Sequence, residues 1–307
     1  MKAKRLEAGD TIGMVAPASP SDRSKVEKAV KYLEGMGYKV RTGESVYSSR
    51  GYLAGKDELR ACDINSMFAD DEVNAVFCMR GGYGSQRILD MVDFELIRKK
   101  PKIFMGFSDI TALLNAIYQE CGLITFHGPM GGDFAGGLGK PTKSAMKRAL
   151  ESIEPIGELP NPETPEVVSE GRARGILVGG NLSIVASTLG TPYEIDTLGR
   201  ILLLEDVFEE PYSIDRMLTQ LRLAGKLSDA SGIILGDWGN SVPEEPEKSL
   251  SLEEVFEDIF KDIGKPVLKG FKIGHCKPNL TVPVGAEAFI DTCSRTVCIL
   301  ESAVKQP

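Results

Sequence analysis

The first half of the chain alternates short apolar runs with helical patterns, and this alternation constrains the fold more than any other feature. Apolar runs lie at Thr11–Ala16, Val73–Met79 and Ile103–Met105, and helical patterns lie at Asp22–Met36 and Lys56–Phe68. Strands that alternate with helices favour a parallel sheet covered on both faces. The sequence therefore predicts an α/β fold for this half, with any ligand at the carboxyl ends of the strands.

The second half has a less regular pattern and follows a proline-rich stretch. The run Glu151–Glu170 carries four prolines and many acids without periodicity, which is typical of an interdomain linker. Beyond it, helices and short β-type runs are mixed. Because 307 residues is long for a single core, we predict an N-terminal α/β domain at 1–150, a linker at 151–170 and a C-terminal α/β domain at 171–307.

Charge and composition exclude several classes of protein. The net charge is −8 and no dense Lys/Arg patch is present, which argues against a nucleic-acid or membrane partner. The N-terminus lacks the apolar core of a secretory signal, and no apolar run is long enough to span a bilayer. The six cysteines form no CxxC pair, and Cys78 and Cys121 lie in or beside apolar runs. We therefore expect reduced, buried thiols in a cytoplasmic protein.

One serine lies where a nucleophile could be presented. The run Ile103–Met105 is broken by Gly106–Asp109, and an amphipathic segment follows. This strand–turn–helix pattern puts Ser108 at the top of a sheet, with helix-start N–H groups available to an oxyanion. The alternative is that Ser108 only caps the helix. The full GxSxG elbow is absent, because Ile110 stands where the second glycine would be.

A serine nucleophile needs a base and an acid that orients the base. The chain has two histidines, which also limits any zinc site. His127 follows a predicted strand and could lie near Ser108 or be structural, whereas His275 lies in a loop rich in turn formers. Glu205 closes an apolar strand and could orient the base, or could cap the following turn. The order Ser108, Glu205, His275 matches the nucleophile–acid–base order of α/β-hydrolases.

The loop Arg80–Gly84 also follows a predicted strand. Its glycines lack the spacing of a dinucleotide fingerprint or a P-loop. A glycine N–H here could complete an oxyanion hole with the N–H of Asp109, and Arg80 could pair with a substrate carboxylate. The alternative is a tight turn that needs positive φ, which is compatible with either role.

Seven segments, taken together, resemble the serine LD-carboxypeptidase family, which includes muramoyltetrapeptide carboxypeptidases and microcin C immunity peptidases. They occur in the family's order from Gly9 to Gly285 and read GDTIGMVAPASP, MRGGYGS, MGFSDITALLNA, TFHGPM, GGNLS, LLLEDV and GHCKPNLTVPVG.

The resemblance implies a catalytic triad and an oxyanion hole. The triad falls on Ser108, Glu205 and His275, and the oxyanion hole on the backbone N–H groups of Gly82 and Asp109. It leaves His127 with a structural role or with a supporting role beside the catalytic residues. Because the proline-rich stretch separates Ser108 from Glu205 and His275, we expect the triad to be shared between two domains, with the active site in the cleft between them.

The resemblance further implies a fold, an assembly and a substrate. The fold is a doubly wound, flavodoxin-like or amidotransferase-like N-terminal domain with a smaller C-terminal mixed α/β domain, usually in a homodimer. No metal or organic cofactor is required. The implied reaction is cleavage of an L-to-D peptide bond, with a murein tetrapeptide losing its terminal D-alanine during cell-wall recycling.

Two other functions stay open at this point. One is an immunity-type peptidase that acts on peptidyl or aminoacyl adenylates, for which the single tryptophan, Trp238, offers little stacking surface. The other is a non-catalytic α/β protein whose glycine loops hold an anionic ligand.

Overall fold

Two sheets organise the chain, one in each of two structural units of the computed structural model, which describes Met1–Pro307. Unit 1 comprises Met1–Glu154, Thr281–Gly285 and Ser302–Pro307. Unit 2 comprises Pro155–Leu280 and Ala286–Glu301.

The N-terminal part of the chain contains five strands and six helices. The strands are β1 (Thr11–Val15), β2 (Lys39–Thr42), β3 (Val73–Cys78), β4 (Ile103–Gly106) and β5 (Thr125–His127). The helices are α1 (Arg23–Gly35), α2 (Asp57–Ala69), α3 (Phe94–Lys99), α4 (Thr111–Cys121), α5 (Gly131–Gly136) and α6 (Lys140–Glu151). Short 3-10 turns lie at Glu44–Tyr47, Ser85–Met91 and Ser108–Ile110.

The rest of the chain contains nine strands and four helices. The strands are β6 (Gly157–Glu158), β7 (Glu166–Ser169), β8 (Arg172–Asn181), β9 (Ile201–Val207), β10 (Gly232–Gly239), β11 (Val267–Lys269), β12 (Val282–Val284), β13 (Glu287–Asp291) and β14 (Thr296–Ile299). The helices are α7 (Leu182–Ser187), α8 (Pro211–Leu223), α9 (Lys226–Asp229) and α10 (Leu252–Phe260). A 3-10 turn lies at Pro246–Lys248.

The sheet of unit 1 has the strand order β12-β5-β4-β3-β1-β2. Strands β1 to β5 are parallel to their neighbours, and β12 adds antiparallel to β5. β4 is buried at every position, as expected for a strand covered on both faces, whereas β2 at the edge is not. The order 2-1-3-4-5 is that of flavodoxin-like sheets. The predicted doubly wound N-terminal sheet is therefore confirmed.

The sheet of unit 2 has the order β6-β14-β13-β8-β9-β10-β11-β7. Its centre, β8 to β11, is parallel, and the strands on both sides of that centre pair antiparallel. The prediction of a mixed α/β C-terminal part is confirmed.

The structure places two stretches differently from the predicted ranges 1–150, 151–170 and 171–307. The proline-rich stretch contributes the edge strands β6 and β7 to the sheet of unit 2. β6 lies between two of its prolines and β7 follows the last one, so both short segments can still pair on one side. Residues 282–284 form β12, which pairs with β5 in unit 1. Periodicity does not reveal either placement, since both depend on pairing with strands far away in the sequence. No helix is both long and apolar enough to cross a bilayer.

Candidate active site

Ser108 lies in a strained turn between β4 and α4. Its φ angle is 61°, in the left-handed region that non-glycine residues rarely adopt. Such backbone costs about 1–3 kcal/mol and clusters at functional sites. The residues at the cap positions of the 3-10 turn and of α4 are Phe107 and Ile110. Ser108 therefore does not cap the helix, and its side chain is partly exposed at the end of a buried strand.

Gly81 brings the glycine loop against the Ser108 side chain. A Cβ atom on Gly81 would lie 2.9 Å from Ser108 Cβ, 3.0 Å from Ser108 Oγ and 3.2 Å from the backbone N of Asp109. Gly82 has φ 101°, and a Cβ there would lie 2.3 Å from Ser19 Oγ. Only glycine fits these two positions. The structure thus brings the loop backbone, the Ser108 hydroxyl and the start of α4 together, an arrangement able to receive an oxyanion.

The Asp109 side chain links this turn to the glycine loop. Its buried carboxylate accepts the N–H of Ser85 at 2.8 Å and the N–H of Gly84 at 3.3 Å. The Ser85 hydroxyl, also buried, donates back to the backbone carbonyl of Asp109. Burial raises the pKa of Asp109, and the bonds from Ser85 and Gly84 oppose that rise.

Arg60 holds the glycine loop from the other side and was missed by sequence reasoning. Its side chain is fully buried, donates to the carbonyl of Gly84 at 2.7 Å and to the carbonyl of Pro17, and pairs with Asp57. Like the bonds from Ser85 and Gly84, its charge opposes the rise that burial causes in the pKa of Asp109. An arginine in an amphipathic helix normally points to solvent, so the pattern of α2 carries no signal for this role.

Arg80 begins the glycine loop and is exposed. One of its guanidinium nitrogens donates to the carbonyl of Pro20 at 3.1 Å. The exposed guanidinium, on the loop that contacts Ser108 through Gly81, has the chemistry needed to bind a carboxylate.

Glu205 and His275 form a hydrogen-bonded pair in unit 2. His275 Nδ1 lies 2.8 Å from Glu205 Oε2, with the carboxylate fully buried and the imidazole side chain 20% exposed. A proton exchanged with a nucleophile would therefore pass through Nε2 of His275. Burial by itself lowers the pKa of His275, but the hydrogen bond and charge of Glu205 outweigh it and the pKa is raised. Burial also raises the pKa of Glu205, against the effect of His275.

Glycines make room for this pair. Gly274 has φ 116°, and a Cβ there would lie 2.3 Å from Glu205 Oε2. Its N–H donates to Asn279 Oδ1 at 3.1 Å, which fixes the turn that carries His275. A Cβ on Gly236, in β10, would lie 3.1 Å from the Glu205 Cβ. The carboxylate can reach the imidazole because both neighbouring positions lack side chains.

A polar network lies beside Glu205. Asn181 donates to Asp206 Oδ1 at 2.9 Å, and the N–H and hydroxyl of Ser183 donate to Asp206 Oδ2 at 2.9 and 2.7 Å. Asn181 stands opposite Glu205 in the β8–β9 register and helps to lower its pKa. Asn181 and Ser183 lie in the motif GGNLS and Asp206 lies in the motif LLLEDV, so these motifs contain polar residues whose role sequence reasoning missed.

His127 is fully buried in β5, opposite Val282 of β12. Its ring centroid lies 5.7 Å from that of Phe107. The predicted structural role of His127 stays a prediction. No group of three or more His, Cys, Asp or Glu side chains is arranged to hold a metal ion.

Two family models match the chain. Residues 12–128 match the LD-carboxypeptidase N-terminal domain, and residues 174–290 match the LD-carboxypeptidase C-terminal domain. The chain belongs to the LD-carboxypeptidase family. The resemblance inferred from the seven segments is thereby confirmed, and the protein is a peptidase of this family.

Relatives within the LD-carboxypeptidase family extend over nearly the whole chain. A probable murein peptide carboxypeptidase of Bacillus subtilis is 50% identical over 308 residues, which cover 99% of this chain and 96% of the relative. The crystal structure of muramoyltetrapeptide carboxypeptidase from Oxalobacter formigenes has a TM-score of 0.82 at 29% identity and covers 94% of this chain and 97% of its own. The microcin C7 self-immunity protein MccF, a protein of Escherichia coli, in complex with glutamyl sulfamoyl guanosine, has a TM-score of 0.91 at 25% identity, with 99% of each chain covered.

Proposed function

We propose that this protein is a serine carboxypeptidase that cleaves an L-to-D peptide bond and removes the terminal D-alanine from murein tetrapeptides. The observation that carries the proposal is the strained Ser108, held at φ 61° with Gly81 packed against its hydroxyl. The names of the Bacillus and Oxalobacter relatives support the murein substrate. In this proposal the hydrolase acts during cell-wall recycling.

Acylation would use Ser108, His275 and Glu205 together as a catalytic triad. The oxygen of Ser108 bonds to the carbonyl carbon of the L-residue, while its proton passes to Nε2 of His275. Glu205, bonded to Nδ1, orients the ring and stabilises its cation. The tetrahedral intermediate then collapses, the C–N bond to the D-residue breaks, and His275 returns the proton to the leaving amine.

Deacylation follows the same path with water as the nucleophile. His275 takes a proton from water as the oxygen attacks the acyl ester, and then returns it to Ser108. In both halves of the reaction the N–H groups of Gly82 and Asp109 would stabilise the oxyanion. Removal of one such donor typically costs on the order of 10²–10³ in kcat.

Arg80 would bind the terminal carboxylate of the substrate. Its exposed guanidinium on the glycine loop supports this role, since a carboxypeptidase must recognise a free chain end. We expect Arg80→Ala to raise KM and lower kcat/KM for a free-acid tetrapeptide, and to have much less effect on the C-terminal amide. Steady-state kinetics on the acid and amide pair provide the measurement, and equal penalties on both would exclude this role.

A second candidate function is cleavage of peptidyl or aminoacyl adenylates. The likeness to MccF with a bound glutamyl sulfamoyl guanosine favours it. Mass spectrometry on the purified protein with a murein tetrapeptide and with an aminoacyl sulfamoyl adenylate would separate the two. Release of D-alanine from the tetrapeptide is the expected result, and cleavage of the adenylate alone would contradict the murein substrate.

Labelling by a fluorophosphonate tests the serine chemistry itself. We expect the wild-type chain to be labelled at Ser108 and the Ser108→Ala variant to stay unlabelled. Absence of label on the wild type would favour the non-catalytic anion-binding alternative.

Location and assembly belong to the same proposal. A cytoplasmic homodimer fits the family resemblance. The buried thiols of Cys78 and Cys121 fit a reducing compartment. Burial raises the pKa of both, to about 11 for Cys121, which keeps them unreactive.

A further inference from the structure

The two N–H donors of the proposed oxyanion hole come from segments far apart in the sequence. One donor, Asp109, lies in the 3-10 turn after β4, and the other, Gly82, lies in the loop after β3. Oxyanion stabilisation depends on both donors being fixed before the charge develops. Something must therefore fix the distance between the loop and the turn.

Hydrogen bonds of the Asp109 and Ser85 side chains tie these two segments together. The Asp109 carboxylate receives the N–H groups of Gly84 and Ser85, and the Ser85 hydroxyl binds the Asp109 carbonyl. The residues thus bond reciprocally, side chain to backbone in both directions. Both side chains are buried, at 2% and 0% exposure, so water does not compete for these bonds.

Arg60 completes the arrangement from the opposite side of the loop. The Gly84 peptide is held through its N–H by Asp109 and through its carbonyl by Arg60. A Cβ on Gly84 would lie 2.9 Å from the Arg60 guanidinium and 2.6 Å from Leu53, so no larger residue fits. The buried guanidinium also balances the charge of the buried carboxylate, which would otherwise be costly.

We propose that Asp109 and Ser85 are positioning residues whose reciprocal hydrogen bonds set the spacing of the oxyanion-hole donors. Their side chains act through the backbone of Gly82 and Asp109 and not by contact with the substrate. The proposal rests on the proposed function, because it needs Ser108 to be the nucleophile. It assigns a role to the Asp109 side chain in addition to that of its backbone N–H.

The role predicts a specific kinetic signature. If the two N–H donors are held less firmly, they stabilise the transition state less, while binding of the substrate in its ground state is unchanged. We therefore expect kcat to fall while KM stays constant. In Asp109→Asn an NH2 group replaces one of the two oxygens that accept the N–H groups of Gly84 and Ser85, so one of these N–H groups faces a donor. In Ser85→Ala the hydrogen bond from the Ser85 hydroxyl to the Asp109 carbonyl is lost. We expect kcat to fall about 10- to 100-fold in both, since a misplacement of about 1 Å costs on the order of 10². KM should stay within about twofold.

A binding experiment separates positioning from general damage. A tetrahedral adduct forms when the Ser108 hydroxyl adds across the carbonyl of a peptide aldehyde, and the former carbonyl oxygen then lies where the oxyanion would lie. Both variants should bind the aldehyde more weakly, in proportion to the loss in kcat, and should bind the tripeptide product as tightly as the wild type does. An equal loss for aldehyde and product would overturn the proposal, as would unchanged kcat in folded protein.

The chain offers a matched control. Asp63 and Ser45 are another buried pair in unit 1, in which the Asp63 carboxylate accepts the Ser45 N–H and the Ser45 hydroxyl accepts the Ala16 N–H. Asp63→Asn and Ser45→Ala should lower stability while kcat and aldehyde affinity of the folded protein stay within about twofold. If these controls lost kcat with KM unchanged, as the Asp109 and Ser85 variants should, the effect would be general and the positioning role would be refuted.

Two further measurements keep the outcomes distinct. Should Asp109→Asn fail to fold by circular dichroism, Ser85→Ala alone decides, because it removes a single hydroxyl. Ser108→Ala tests the underlying function. If that variant keeps its activity, the serine mechanism fails as a whole. If Ser108→Ala is inactive while Ser85→Ala and Asp109→Asn keep wild-type kcat, only the positioning role fails.

Discussion

At the scale of single residues, the protonation of His275 decides when the proposed base can act. The imidazole must be neutral to take a proton from Ser108. The pKa of His275 is raised above its ordinary value of 6.5, because the Glu205 bond and charge outweigh the effect of burial. As the solution is acidified, an imidazole with a raised pKa becomes protonated at a higher pH than an ordinary histidine does, and it then cannot act as a base.

The pH dependence of kcat/KM should report this pKa. We expect activity to fall as the pH is lowered through a midpoint above 6.5. In Glu205→Gln the hydrogen bond to an anion is replaced by one to a neutral amide, so the midpoint should move to lower pH and the maximal rate should drop. Rate measurements between pH 5 and pH 9, about the range over which histidine titrates, check both expectations. Identical midpoints in the two proteins would show that Glu205 does not set the titration.

The residues of the candidate site that the sequence could predict are those marked by a local pattern or by the family motifs. Ser108 and Glu205 were predicted because each follows an apolar run that marks a strand, and His275 because it lies in a loop rich in turn formers. The motifs around all three also resemble those of a family. The positive φ of Ser108 and the buried Arg60 were not found. Both depend on contacts with segments that are distant in sequence.

At the scale of elements, β9 extends beyond the apolar run that precedes Glu205, and this changes the setting of that residue. The apolar run ends at Leu204, whereas β9 continues to Val207 because Glu205 and Asp206 pair with Asn181 and Trp238 of the neighbouring strands. Acidic residues end a strand in a propensity argument, but tertiary pairing overrides that tendency. The carboxylate therefore projects from a paired strand rather than from a loop, which gives it a rigid base.

The turn that carries His275 should tolerate no side chain at Gly274. We expect Gly274→Ala to lower kcat by on the order of 10², because the new Cβ would meet Glu205 Oε2 at 2.3 Å and displace the carboxylate from His275. Gly270→Ala is the matched control, since Gly270 has φ 94° but open space around its Cβ position. That variant should lose about 1–2 kcal/mol of unfolding free energy through backbone strain and keep its kcat.

Thermal denaturation and steady-state kinetics on both glycine variants make this comparison. Wild-type kcat in Gly274→Ala would show that the carboxylate can move without consequence. A loss of kcat in Gly270→Ala as large as in Gly274→Ala would attribute the effect to strain in the loop, not to the Glu205 contact.

At the scale of the whole molecule, the two units are interleaved along the chain. Residues 282–284 pair with β5 of unit 1, while residues 157–158 and 166–169 pair in the sheet of unit 2. Fragments 1–150 and 171–307 would therefore each lack strands that a sheet uses. Separate expression of the halves is a poor test of the shared triad, because inactivity could arise from incomplete sheets.

A double-mutant cycle in the full chain tests cooperation between the units without removing any strand. Ser108 belongs to unit 1, and His275 belongs to unit 2. If they act in one triad, either Ser108→Ala or His275→Ala alone should cost on the order of 10⁴–10⁶ in kcat, because the remaining members cannot work without the missing one.

The double variant should then be barely slower than either single variant, since triad members lose their contributions together and not one by one. The cycle is measured as kcat on one tetrapeptide for the wild type, the two single variants and the double variant. His127→Ala serves as the control histidine, and we expect it to affect mainly stability, because His127 is buried in β5. Losses that add on a logarithmic scale would mean that Ser108 and His275 act in separate steps, and a larger defect at His127 would identify it as the base.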